Sequence, residues 1–474
     1  MKKMRRFCLL LLVAAFMMGL CAPAMAAAGD EVSLAVSSGC VTLDAVVCLK
    51  GSEKLLDTAK GVILYELDSQ TMIYFWNPDQ RVDPSGMNKL MTALLALEIG
   101  DPDAVVTVSK SALASVAVGS VSAGLKAGEE ITLRDLLYCM MVGSANDAAA
   151  VIAEHIGTSQ GAFVGLMNQR AKELGCENTQ FMNANGLSHE EQYTTARDLA
   201  KITEAALHNE IFVELFSTIK YTVPATNKSE ARELVTTNHL MSTETVRNQF
   251  DERVTGGKTG ALSTTDRSLI CTAESGGKRY LAVVMSAQGT VTANGLSVKT
   301  FGSLEETREL LDHGFGHYSV RQVLQKEQVM EQFQVTGGEN DVIGGSAEDI
   351  VVSLPTDAVA EDVTYQCVSA DSALTAPIER GQKIGTIEVW FRGICVGQCD
   401  MIAMYGVDQP GVNNISLTPS AEEKAGSTLR NWMFTGGVVL LGVIAVMGIG
   451  VVVLRLVRQS QRKRRHKLIN ERSR

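Results

Sequence analysis

The amino-acid sequence predicts an α/β body with an antiparallel sheet and a helical subdomain, followed by a small all-β domain and a C-terminal transmembrane helix. Three observations carry this reading. A helix-rich middle is framed by early and late strand-like runs; from about Tyr318 to Gly406 the texture shifts to short Val/Ile runs with Gly-rich turns; and Asn431–Leu454 contains no charged side chain.

Taken in chain order, Gly61–Glu66 and Met72–Trp76 are apolar, β-branched and aromatic runs separated by Asp68, Ser69 and Gln70, the pattern of a hairpin. After Pro84, residues Met87–Ile99 carry Leu90, Met91, Leu94, Leu95 and Leu97 at spacings of three and four, which predicts a mostly buried helix. Helices are expected over Leu133–Val142 behind Thr132 and over Ala148–Ile156, with Gly143, Ser144 and Ala145 forming a polar corner between them. Two more helices follow, Gly161–Leu174 and Thr195–Leu207, the second capped by Thr194 or Thr195 with Asp198 in its first turn. Arg253–Lys258, Ser268–Ala273 and Arg279–Ser286 read as strands, and Leu304–His313 as a helix stopped by Gly314. The domains are therefore expected at 57–315 and 318–408, with a Pro-, Ser- and Asn-rich linker at 409–430.

The ends of the chain concern the membrane. Lys2, Lys3, Arg5 and Arg6, an apolar run from Phe7 to Leu20 and the small pair Ala24 and Ala26 make residues 1–26 a secretory signal peptide. A helix over residues 431–454, rising about 1.5 Å per residue, crosses a bilayer core of roughly 30 Å. The basic run that follows at 455–474, with Arg455, Arg458, Arg462 and Lys463 in front, stays cytoplasmic under the positive-inside rule. The expected location is thus the cell membrane, single-pass, with the main domains outside. Removing the four positive charges of the signal and the net eight of the tail from the overall −10 leaves the outward portion near −22. So acidic a surface repels phosphate backbones and excludes nucleic acid as a partner.

Cysteine spacing leaves Cys40 with Cys48 and Cys395 with Cys399 as candidate disulfides, and no His lies near either pair to suggest zinc. Cys139, Cys176 and Cys271 sit in apolar surroundings and read as ordinary buried residues. Nothing points to a metal or an organic cofactor.

The chemistry-bearing triplets are Ser144-Ala145-Asn146 on the predicted corner and Lys258-Thr259-Gly260 on a predicted strand. Lys89 stands on the helix that follows the hairpin. Beyond these, Asn77, Pro78 and Arg81, Lys89 to Thr92, Leu125 to Gly128, Arg134 to Leu137, Asn185-Gly186-Leu187 with Tyr193 to Ala200, and Ile378 to Val396 with Gly381, Gln382 and Gly385 fall in one register. In that register the chain resembles the serine-type D-alanyl-D-alanine carboxypeptidases, the low-molecular-weight penicillin-binding proteins, over roughly residues 57–408.

The resemblance implies a penicillin-binding, β-lactamase-like fold. It implies a reaction in which a Ser oxygen attacks the carbonyl between two D-alanines of a peptidoglycan stem peptide, and the Lys three residues later takes its proton. It assigns Lys89 as that base and Ser144 with Asn146 as proton relay and peptide-amide holder. Lys258 supplies positive potential, and Thr259, Gly260 and Ala261 form the substrate-binding edge. Backbone N–H groups of Gly86 and Ala261 would make an oxyanion hole. β-Lactams would react if a nucleophile were available.

At the nucleophile's position, however, stands Gly86. Ser85, one residue earlier, reads either as a helix cap or packing residue or as a substitute nucleophile at i to i+4 from Lys89; a shift of about 100° and about 1.5 Å disfavours the second. Two further departures are Ala261-Leu262 after the Lys-Thr-Gly and Ser303 where relatives place a carboxylate-holding Arg, with Lys299 and Arg308 out of register. His189 lacks an acid partner and reads as a loop residue. A β-lactamase would want a separate carboxylate to activate the deacylating water, and the sequence identifies none. The expectation is a carboxypeptidase-like protein acting on stem peptides, with a catalytically silent peptidoglycan-binding or scaffold relative as the alternative.

Overall fold

The structure, a computed structural model, describes Leu43 and residues 54–243, 249–292, 298–370 and 373–409. The hairpin forms as expected, as β1 (Gly61–Glu66) and β2 (Thr71–Trp76). Then come α1 (Asn88–Ile99), α2 (Leu133–Met141), α3 (Asn146–Gly157), α4 (Gln160–Glu173), α5 (Ala196–Leu207) and α6 (Glu210–Ser217). The chain returns as β3 (Val254–Ala261), β4 (Asp266–Ser275), β5 (Lys278–Gln288) and α7 (Gly302–His317).

These strands make one antiparallel sheet in the order β2-β1-β5-β4-β3, so the hairpin from the start of the domain pairs with the last strand to be added. The order leaves β3 at an edge, where its outer side is free to line a cleft. From Asn88 to Ala96 every residue of α1 is buried. A helix buried on all sides lies between layers rather than on top of one.

Three expectations change at element ends. Helix α3 begins at Asn146, two residues before its apolar periodicity, because Ala145 is extended and already marks the boundary. Strand β3 runs on through Ala261 and so carries the whole Lys-Thr-Gly triplet. Helix α7 continues past Gly314 to His317. Gly314 serves close approach instead of a stop: a Cβ there would lie 2.7 Å from Leu64 Cδ2 and 3.1 Å from Tyr280 Cε2.

Residues 318–409 form the all-β part. Its five-stranded sheet runs β7 (Val329–Phe333), β8 (Val342–Ser346), β12 (Ile394–Ala403), β11 (Lys383–Phe391), β10 (Val363–Ser369), and β6 (Tyr318–Leu324) pairs with β9 (Ile350–Pro355) beside it. Cys395 and Cys399 both lie on β12 and are not bonded to each other. The expected pairing fails because four residues of extended strand separate their Cα atoms by about 13 Å, well beyond disulfide reach. Cys40, Cys48, the signal at 1–26, the linker at 410–430, the apolar stretch 431–454 and the basic tail lie outside the described residues. Among the described residues, no helix is long and apolar enough to cross a membrane.

Candidate functional site

The cleft is assembled where the turn before α1, the α2–α3 corner and edge strand β3 meet. A 3-10 turn, Ser85–Met87, leads into α1 and packs against β3. One turn later Lys89 projects from the buried first turn of α1, and its Nζ donates to Asn146 Oδ1 at 2.7 Å and to the carbonyl of Asn185. Across the cleft, Lys258 Nζ donates to Ser144 Oγ and to the Thr259 carbonyl, both at 2.9 Å. All four expected polar side chains therefore converge on one place.

Both amines are almost dry, with 2% of Lys89 and 1% of Lys258 exposed. Burial lowers the Lys258 pKa to about 7, and burial together with the neighbouring Lys258 charge holds Lys89 well below the ordinary lysine value. Among the described residues neither amine has a carboxylate partner in the cleft, so nothing offsets the effect of burial.

Gly86, which the motif register sets three residues before Lys89, lies beside β3 in this cleft. A Cβ built on it would sit 3.0 Å from the Thr259 carbonyl oxygen and 3.9 Å from Lys258 Nζ. Ser85 is oriented otherwise. Its φ is +52°, so it is not helical and does not share a face with Lys89 as an i, i+4 pair would. It is not a cap either: Pro84 occupies the N-cap position with no side-chain bond, and Ser85 is a buried packing residue whose N–H donates to Asp83 Oδ1 at 2.7 Å. The partners of Lys89 do not include its hydroxyl.

Second-row residues hold these groups. Ser144 has a φ of +56°, a conformation costly for a residue with a Cβ, and it turns its hydroxyl to Lys258. Next to Asn146, the Asp147 carboxylate accepts from Ala123 N at 2.9 Å, Leu125 N at 3.0 Å and Ser122 Oγ at 2.6 Å, which ties the 121–125 loop to the head of α3. Asn88 Nδ2 donates to the Asn183 carbonyl and Gln192 Oε1, both at 2.7 Å, and Thr92 Oγ1 donates to the Ala184 carbonyl at 2.7 Å. The 183–187 stretch, visible in the sequence only as a family signature, thereby acts as the clamp that presents the Asn185 carbonyl to Lys89.

On the far side, Thr259 Oγ1 is hydrogen-bonded to Thr237 Oγ1 at 2.6 Å. Thr237 had no sequence signal, since it lies outside any motif. Asp147 had a faint one, as an acid in the first turn of a helix. Gly260 faces the Pro84–Gly86 turn, and Ala261 ends β3. Ser303 is buried at the start of α7. Arg308 is engaged with the Gln249 carbonyl at 2.6 Å and Lys299 is exposed. His189 is an exposed loop residue accepting from Glu191 N at 3.2 Å. Among the described residues, no cluster of His, Cys, Asp and Glu could hold a metal.

Comparison with known proteins bears on this cleft. The D-alanyl-D-alanine carboxypeptidase family profile matches residues 51–289, and the penicillin-binding protein 5 C-terminal domain profile matches residues 318–409. The chain is 30% identical over 369 residues to D-alanyl-D-alanine carboxypeptidase DacD of Escherichia coli, covering 76% of this chain and 87% of that protein. It is 29% identical over 341 residues to D-alanyl-D-alanine carboxypeptidase DacF of Bacillus subtilis, covering 71% and 83%. The structure of penicillin binding protein 5 from Haemophilus influenzae superposes with a TM-score of 0.61 at 27% identity, over 76% of this chain and all of that one. With the two family profiles in tandem along one α/β body and its following β domain, the chain belongs to the D-alanyl-D-alanine carboxypeptidase family.

Proposed function

We propose that this protein binds D-alanyl-D-alanine-terminated peptidoglycan stem peptides without cleaving them, as a silent relative of the carboxypeptidases. The observation that carries the reading is the geometry at Gly86: the position whose Cβ would lie 3.9 Å from Lys258 Nζ has no side chain, and the neighbouring Ser85, in a left-handed conformation, is not among the hydrogen-bond partners of Lys89. An acyl-enzyme needs an oxygen at that point, and none is placed there.

The rest of the cleft keeps its binding capacity. With Asn146 Oδ1 engaged by Lys89, its NH2 group is left to donate to a peptide carbonyl. Lys258 and Thr259 offer positive charge and a hydroxyl to an anionic chain end, and the Gly86 and Ala261 amides can hold the carbonyl that relatives attack. We further propose that the protein is exported and held at the membrane by residues 431–454, with the domains facing the wall; the uncharged stretch and its basic flank support this.

The test is intact-mass measurement of the detergent-solubilised full chain after exposure to benzylpenicillin, beside Gly86→Ser and Ser85→Ala versions. No adduct is expected on the native chain or on Ser85→Ala, and one adduct on Gly86→Ser. A stoichiometric adduct on the native chain that disappears in Ser85→Ala would overturn the silent reading in favour of a shifted nucleophile.

A further inference from the structure

The substrate-carboxylate corner lacks the cation that the family resemblance places at Ser303, which is buried at the start of α7. A different guanidinium reaches that corner from the sheet. Arg267 lies directly opposite Ala261 in the β3–β4 ladder. Opposed residues of an antiparallel pair carry their Cβ atoms on the same face, about 5 Å apart. The Arg267 Cζ stands 4.7 Å from the centre of the Phe301 ring, two residues ahead of Ser303.

A local irregularity aims this side chain. The β4–β5 register shifts between Arg267 and Leu269. Opposite it, Ser286 adopts a φ of +54°, donates its N–H to Ser268 Oγ at 2.9 Å and its hydroxyl to Asp266 Oδ1 at 2.7 Å. Bulges of this kind re-aim side chains at strand ends and cleft rims.

What Arg267 touches leaves it available. Its Nε donates to the Thr264 carbonyl at 3.1 Å. Among the described residues, neither Nη has a hydrogen-bond partner and no carboxylate lies within ion-pair distance. Burial pulls its pKa below the ordinary guanidinium value with no acidic neighbour to offset the effect. The nearby His239, edge-on to the same ring at 5.6 Å, has its pKa lowered by burial and by Arg267, and so provides no counter-charge.

We propose that Arg267 holds the terminal carboxylate of the bound D-alanyl peptide, supplying from β4 the charge absent at Ser303. The proposal rests on the stem-peptide reading above. A peptide whose penultimate carbonyl meets the Ala261 N–H carries its carboxylate one residue further on, less than about 4 Å away. That places it over the face shared by Ala261 and Arg267, where a planar fork of donors suits a carboxylate better than a lysine does.

The experiment is calorimetric titration of the full-length chain with an acetylated Lys-D-Ala-D-Ala peptide and with the same peptide as its C-terminal carboxamide. The native chain is expected to favour the free acid by about ten- to a hundredfold. Arg267→Gln lowers that preference about tenfold, Lys258 and Thr259 supplying what remains, with carboxamide binding much less affected, and Arg267→Lys falls between. An Arg267→Gln chain that keeps the native preference for the acid, or that loses both peptides equally, overturns the assignment while the stem-peptide reading stands. Native protein that binds neither peptide sinks both.

Discussion

Gly86 leaves a gap of one side chain beside Lys258. A Cβ at Gly86 would lie 3.9 Å from the Lys258 amine, whose pKa burial lowers to about 7. A lysine whose folded pKa lies below its unfolded value contributes stability above the unfolded pKa, about 10.4, and loses it as pH falls towards about 7. Lys258→Met removes that dependence. Thermal melts should therefore show the variant more stable than the native chain at pH 6, with the gain shrinking steadily to pH 10, while stem-peptide binding is lost throughout. A gain independent of pH would mean that the amine is solvated in the native fold.

The elements that present these side chains are held by contacts that tolerate little. Gly186, at a φ of +82°, would place a Cβ 1.7 Å from the Ser85 carbonyl, so the 183–187 stretch fits against the turn before α1 only without a side chain. Gly186→Ala is expected to cost at least ~2 kcal/mol in urea unfolding. Made together with Gly86→Ser, it should also abolish the penicillin adduct that the single serine variant forms, because the turn must move. Asp147 is the matching device on the opposite wall. Asp147→Asn keeps one acceptor oxygen where the carboxylate serves three donors of the 122–125 loop, and should cost about 1–3 kcal/mol with weaker peptide binding.

For the whole molecule, the catalytic-type body and the β domain are stitched together rather than merely linked. Lys278 Nζ donates to the Tyr318 carbonyl at 2.7 Å, and Ser353 N–H donates to Thr71 Oγ1 at 3.3 Å. The proposed anchor gives a separate test. Full-length protein should sediment with membranes and resist a salt wash, whereas a chain ended after residue 430 should appear in the soluble extracytoplasmic fraction. Recovery of the full-length protein in that soluble fraction would exclude the anchor.

Element identity was legible along the chain because its signals act between neighbours. The spacing of Leu90, Met91, Leu94 and Leu95 marked α1, the caps at Thr132 and Thr195 marked α2 and α5, and the β-branched runs marked the sheet strands. The glycine at position 86 was legible too, since it is a matter of residue identity. Packing decided what lies across the cleft: Lys89 meets Asn146 at a separation of 57 residues and Lys258 meets Ser144 at 114. The left-handed twist of Ser85, the clamp at Asn185 and the aim of Arg267 depend on contacts between elements remote in sequence, and no local pattern of residues encodes such contacts.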